Sequence, residues 1–64
     1  MVKINGLLVD ANGKILKDYL IENGHDIRKI AVECNEDIVP KSQYETFIIH
    51  SGDVLEIVSL VGGG

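Results

Sequence analysis

Few side chains in this 64-residue chain have the types and spacing that chemistry on a substrate requires. The candidates are Cys34, His25 and His50, whose number and separation do not match a structural zinc site. The glycines lack the Gly-Lys-Ser/Thr that completes a phosphate-binding loop. A core this thin also leaves no room for a pocket of its own, so no nucleophile with a neighbouring base is indicated. We therefore expect neither a metal site nor catalytic side chains.

The feature that departs from an ordinary small domain is the end of the chain, Gly62, Gly63 and Gly64. Three terminal glycines are by themselves equally typical of a passive extension. Here they follow directly on a strand-like segment, with no polar spacer, in a chain that otherwise contains few structureless residues. That position favours a function for the tail.

Composition limits the classes of partner and the compartment. Ten acidic and six basic residues give a net charge of −4, which argues against a nucleic acid as the main partner. A single cysteine excludes an internal disulfide framework. The sequence contains no apolar run long enough for a bilayer and no recognisable signal peptide, so we expect a cytoplasmic protein.

The first half of the sequence predicts a hairpin followed by a helix. Strand-like residues 2–4 and 7–9 flank Asn5-Gly6, a pair that favours the positive φ angles of a two-residue turn. Apolar residues at positions 15, 16, 19 and 20 have helical spacing and predict a helix over 14–23. Gly24 suits the left-handed position just after the end of that helix.

The second half predicts three strands and a short helical turn. Residues 30–34 alternate so that the thiol of Cys34 falls on the apolar face, where we expect a buried structural cysteine. Residues 38–39 form a second strand, which ends at Pro40, and 54–61 is the longest candidate. Ser42 and Glu45 have the spacing of a capping box, which predicts a helical turn. A helix across one face of a mixed sheet buries the apolar side of both, so we expect an α+β domain over 1–61 with a flexible glycine tail at 62–64.

Three segments carry a resemblance to a known family. They are residues 4–6 (Ile-Asn-Gly), residues 31–44 with their Ile-Val-Pro-Lys-Ser-Gln run, and residues 52–64, which end in Val-Gly-Gly-Gly. In these segments the chain resembles the ThiS family, the sulfur carrier proteins of thiamine biosynthesis. The similarity covers nearly the whole chain, but the family usually has glycine where this chain has Glu36. The resemblance implies the ubiquitin-like β-grasp fold, with one main helix across one face of the sheet.

The resemblance also implies a protein cosubstrate and not an enzyme. The Gly64 carboxylate would be adenylated with ATP by a ThiF-like enzyme. Sulfur from a donor such as a cysteine desulfurase would then replace AMP, and a ThiG-like thiazole synthase would receive sulfur from the resulting thiocarboxylate. Gly62 and Gly63 would thread into each partner together with Gly64. By the same resemblance the carrier binds no cofactor itself, because ATP belongs to the adenylating enzyme.

Alternation along the last strand predicts where a partner docks. If Leu55 and Ile57 enter the core, Val58 and Leu60 form an exposed apolar patch beside the tail. We expect Val58, Leu60 and Val61 to belong to the docking surface, although the first two could simply cover the edge of the sheet.

Two other readings of the tail stay open at this point. Small subunits of molybdopterin synthase are also β-grasp sulfur carriers that end in Gly-Gly, and other sulfur-transfer pathways use similar carriers. A passive β-grasp interaction module, in which the tail takes no part, belongs to a different class. Deleting Gly63 and Gly64 separates a passive tail from a working one, because only a working tail loses activity when it is removed.

Overall fold

A five-stranded mixed sheet with one helix on one face makes up the fold in this computed structural model, which describes residues 1–60. The elements are β1 (Val2–Ile4), β2 (Leu7–Val9), α1 (Leu16–Glu22), β3 (Ile30–Cys34), β4 (Asp37–Val39) and β5 (Val54–Ser59). Two 3₁₀ turns, Ile27–Lys29 and Lys41–Gln43, precede β3 and follow β4. The strand order is β2-β1-β5-β3-β4, with β1 parallel to β5 and the other neighbouring pairs antiparallel. The α+β class with a β-grasp arrangement is thereby confirmed.

The first hairpin forms as predicted because its turn residues accept left-handed backbone angles. Asn5 has φ 50° and Gly6 has φ 83°, and Ile4 pairs with Leu7 across the turn. The β3–β4 hairpin uses the same device at Asn35 and Glu36, with φ 53° and 74°. In that second hairpin a glutamate holds the position that glycine has in the first.

Helix α1 is shorter at its start than predicted. Ile15 has an extended backbone, with φ −75° and ψ 134°, and forms an isolated antiparallel bridge with Ile48. Because Ile15 pairs as a strand residue, the helix begins only at Leu16. Its apolar face is buried as predicted, and Gly24 has φ 79° just beyond its end.

The core lies between α1 and the inward face of the sheet. Alternation in β3 buries Ile30, Val32 and Cys34, while β5 contributes Leu55 and Ile57. The remaining buried residues are Val2, Ile4, Ala11, Leu16, Tyr19, Leu20, Val39, Tyr44 and Ile49. Almost every element therefore contributes side chains to one continuous core.

Three local features between residues 27 and 59 differ from what the sequence predicts. The predicted helical turn forms as the 3₁₀ turn at Lys41–Gln43, but Pro40 precedes it and no side chain caps it, so the capping box is wrong. Glu45 pairs instead with Lys17 at 3.0 Å. The 3₁₀ turn at Ile27–Lys29 was not predicted; the Asp26 side chain caps it by accepting a hydrogen bond from the Arg28 N–H. Strand β5 ends at Ser59, where its pairing with Ile30 ends. The predicted boundary between 1–61 and 62–64 lies outside the described residues.

Candidate functional site

The exposed side of β5 carries the apolar patch that alternation predicted. Leu55 and Ile57 point into the core, while Val58 is 49% exposed and Leu60 is 55% exposed. Because Leu55 and Ile57 do enter the core, Val58 and Leu60 lie exposed on the same surface, as predicted. Val61, the third predicted docking residue, lies outside the described residues, as do Gly62, Gly63 and Gly64.

The neighbouring strand gives this surface its chemical character. On β3, Ala31 lies directly opposite Val58, and Glu33 lies opposite Glu56. Facing residues on paired strands have side chains on the same side of the sheet, so an apolar pair borders a pair of carboxylates there. A partner that covers this face must offer apolar side chains and tolerate or neutralise two negative charges.

A hydrogen bond ties the last described residue, Leu60, to the sheet. The Leu60 N–H donates to the Lys29 carbonyl oxygen at 2.7 Å, one step beyond the last β3–β5 pair. The Lys41 ammonium donates to the adjacent carbonyl oxygen of Arg28 at 3.2 Å. The described part of the chain therefore ends beside the exposed patch, at a residue that the sheet holds in place.

Asn5 contributes to this end of β5 in a way that sequence reasoning missed. Its side-chain Oδ1 accepts a hydrogen bond from the Ile57 N–H at 2.8 Å, and its Nδ2 donates to the Ile57 carbonyl oxygen at 3.2 Å. The residue pattern around Asn5 predicted only the hairpin turn. The available signal was the residue type, since asparagine carries both a donor and an acceptor whereas aspartate, equally suited to the turn, does not.

Cys34 lies at the opposite end of β5, beside a groove of about 640 Å³ that is also lined by His50 and Asp53. The thiol is only 8% exposed. Burial raises its pKa, and the neighbouring Asp53 carboxylate raises it further. The predicted burial of Cys34 is therefore confirmed.

Two further absences hold for residues 1–60. No group of His, Cys, Asp or Glu side chains in that range has the arrangement to hold a metal ion. None of its helices is long and apolar enough to cross a membrane.

The strand order, with the last strand β5 between β1 and β3, and the helix across the sheet define a β-grasp domain. The ThiS family model matches residues 1–64, and the chain belongs to the ThiS family.

Individual relatives agree with this assignment. The sulfur carrier protein ThiS of Thermus thermophilus is 36% identical over 64 residues, which cover both chains completely. A crystal structure of the thiamine biosynthesis protein ThiS from Geobacter metallireducens superimposes with a TM-score of 0.77 at 22% identity, covering 98% of this chain and 97% of that one, and supports the fold.

A third relative has a different name and length. A thiazole synthase of Paramagnetospirillum magneticum is 56% identical over 43 residues. Those residues make up 67% of this chain but only 13% of that protein.

Proposed function

We propose that Gly64 is the residue through which this member of the ThiS family carries sulfur. The general function, sulfur carrier in thiamine biosynthesis, follows from the family match over the whole chain and from the full-length similarity to a sulfur carrier protein. The observation that supports the finer proposal is the way β5 ends. Leu60, two positions before the first glycine in the sequence, is hydrogen-bonded to the sheet, and its side chain and that of Val58 are exposed.

In the proposed reaction a Gly64 carboxylate oxygen attacks the α-phosphate of ATP on a ThiF-like adenylating enzyme, and pyrophosphate leaves. The product is an acyl-adenylate, a mixed anhydride whose AMP is a good leaving group. The terminal sulfur of a persulfide, from a donor such as a cysteine desulfurase, then displaces AMP at the carbonyl carbon to give an acyl disulfide. A thiol reductant cleaves its S–S bond, which leaves the thiocarboxylate on Gly64 and a disulfide on the donor side. In this proposal the carrier supplies the reacting carboxylate, and the partner enzyme supplies ATP and the catalytic side chains.

The tail and the folded body have complementary tasks. Without Cβ atoms, Gly62 and Gly63 let the chain enter a narrow channel and bring Gly64 close to a nucleotide. Ordering the backbone on binding costs about 1–2 kcal/mol per residue. Docking of the apolar patch at Val58 and Leu60 offsets that cost, because burying exposed apolar surface is favourable.

A thiazole synthase is the proposed acceptor of the sulfur. The Paramagnetospirillum protein supports this assignment, because a protein named thiazole synthase contains a 43-residue segment that is 56% identical to this chain. We also place the carrier in the cytoplasm, where a reduced Cys34 would be maintained.

Intact-protein mass spectrometry tests the proposal. The chain is incubated with a ThiF-like enzyme, ATP and a sulfur source, and the expected change is one oxygen replaced by sulfur. Fragmentation must place the change at Gly64, because oxidation of Met1 or Cys34 gives nearly the same mass. A variant lacking Gly63 and Gly64 serves as the control and should stay unmodified. If Gly64 remains unmodified while the enzyme activates another carrier, the passive-module reading replaces this one.

A further inference from the structure

The hydrogen-bond ladder between β1 and β5 continues past the end of β1 through one side chain. The Asn5 N–H donates to the Leu55 carbonyl oxygen at 3.0 Å. At Asn5 the backbone turns into the hairpin, with φ 50°, and β1 has already ended at Ile4. The next step of the ladder is formed by the Asn5 amide, which accepts from the Ile57 N–H and donates to the Ile57 carbonyl oxygen. A side-chain amide thus replaces a peptide group of a neighbouring strand.

The opposite edge of β5 is held over the same stretch. Ser59 pairs with Ile30 on β3, and the Leu60 N–H donates to the Lys29 carbonyl oxygen at 2.7 Å. The C-terminal half of β5 is therefore held on both edges, by β3 on one side and by the Asn5 side chain on the other. Without the Asn5 amide, the Ile57 peptide would lose both of these bonds, and this part of β5 would depend mainly on β3.

The direction in which β5 ends matters for a reaction at Gly64. A fixed starting point restricts the volume that a short tail explores and so raises the effective concentration of its carboxylate at a docked active site. We propose that Asn5 is a positioning residue for the tail: its amide holds β5 at Ile57 so that the chain leaves the sheet in the direction that the adenylating enzyme requires. This inference rests on the proposed modification of Gly64.

The most informative variant for testing the Asn5 amide is Asn5→Gly. Glycine adopts φ 50° without strain, so the change removes the amide and leaves the turn conformation accessible, whereas alanine would add strain. Asn12→Gly is the matched control. It makes the same substitution, also before a glycine, and within residues 1–60 the Asn12 side chain has no hydrogen bond to lose.

Amide hydrogen exchange on the free protein measures the local effect. In Asn5→Gly, the Ile57 and Leu60 amides should exchange about tenfold faster relative to Leu16, because the Ile57 peptide group loses two hydrogen bonds. The Leu16 N–H, bonded to the Phe47 carbonyl oxygen at 2.8 Å, reports on the core. Equal acceleration at all three amides would mean general destabilisation and would overturn the proposal. Asn12→Gly should leave the ratios unchanged.

Steady-state adenylation measures the functional effect at a temperature where the variants are folded. Asn5→Gly should lower kcat about tenfold and leave KM within about twofold, because the Val58 and Leu60 side chains are unchanged and β3 still pairs with β5 as far as Ser59. Asn5→Asp keeps an acceptor for the Ile57 N–H but loses the donor, so it should fall between Asn5→Gly and the unaltered chain. It also replaces Asn5→Gly if that variant does not fold.

The outcomes separate this inference from the proposed function. Full activity of Asn5→Gly, or of Asn5→Asp if it stands in for the glycine variant, would overturn the role of Asn5 while Gly64 modification stands. A rise in KM with unchanged kcat would also overturn it, because docking and not positioning would have been lost. Failure of the unaltered chain, with another carrier activated by the same enzyme, would overturn the proposed function and the role of Asn5 within it.

Discussion

Asn35 and Asp53 join the β3–β4 turn to the start of β5 through a hydrogen bond of 3.2 Å from Nδ2 to Oδ1. The other carboxylate oxygen of Asp53 accepts from the His50 N–H at 2.9 Å, and Asn35 Oδ1 accepts from the Val54 N–H at 3.0 Å. Asparagine side chains therefore hold β5 near both of its ends, Asn35 at the start and Asn5 at Ile57. Strand β5 is thus held by these side chains as well as by its backbone pairing with β1 and β3.

Removing the carboxylate with Asp53→Ala should destabilise the fold, because it breaks hydrogen bonds to the His50 N–H and to the Asn35 amide. We expect a loss of about 1 kcal/mol, since the pair is partly exposed to solvent. For a domain of this size, that loss lowers Tm by about 4–8 °C in a thermal melt. Asp10→Ala removes an exposed carboxylate that makes no hydrogen bond within residues 1–60 and should leave Tm nearly unchanged. Equal shifts for both variants would contradict this account.

Glu36→Gly should stabilise the protein. Glu36 has φ 74°, a left-handed angle that costs a residue with a Cβ about 1–2 kcal/mol, and glycine removes that cost at the expense of some unfolded-chain entropy. We expect a net gain of about 0.5–1 kcal/mol, seen as a higher urea midpoint with an unchanged slope.

Glu36→Gln is the control for charge, because Glu36 lines the same depression as Glu33 and Glu56. The glutamine variant removes the charge but keeps the strained backbone position. If it stabilises as much as glycine, then repulsion between carboxylates and not backbone strain explains the gain.

Val58→Thr and Leu60→Gln should weaken docking without unfolding the protein. Both side chains are about half exposed, so their replacement changes the free energy of unfolding by about 0.5 kcal/mol or less. Burying the exposed half of a valine or leucine side chain on docking contributes about 1 kcal/mol, so KM for the adenylating enzyme should rise about fivefold. Ile38→Thr, on the same face but on edge strand β4, is the control and should leave KM nearly unchanged. Unchanged KM for Val58→Thr and Leu60→Gln would mean that these side chains only cover the sheet.

Cys34 should resist alkylation near pH 8, because burial and the Asp53 carboxylate raise its pKa and keep the thiol protonated. The folded state disfavours the thiolate, so the stability that this group contributes is present below the unfolded pKa and is lost as the pH rises through the higher folded pKa. Alkylation rates with and without urea give the measurement, and the unfolded chain should react faster. Equal rates in the folded and unfolded protein would show that the thiol is accessible and unperturbed.

Local pattern predicted most of the elements because their signals are local. The pair Asn5-Gly6, the helical spacing around Leu16 and Leu20, and the alternation in residues 30–34 each depend on a few neighbouring residues, and the structure confirms all three. The errors lie where a distant segment decides the outcome. Ile15 leaves the helix because Ile48 offers it a backbone partner, and Glu45 reaches Lys17 instead of capping its own turn.

The sequence alone defines the composition of the tail, because three consecutive glycines without Cβ atoms need no neighbouring side chain to define them. It also defines which residues of β5 share a face, since strand alternation is a property of the backbone. Which face is buried, and what lies beside that strand, depends on the tertiary fold. The parallel pairing of β1 with β5 brings Asn5 to Ile57, 52 positions away, and no local periodicity encodes a contact of that separation. The role of the Asn5 amide therefore exists only once the sheet has formed.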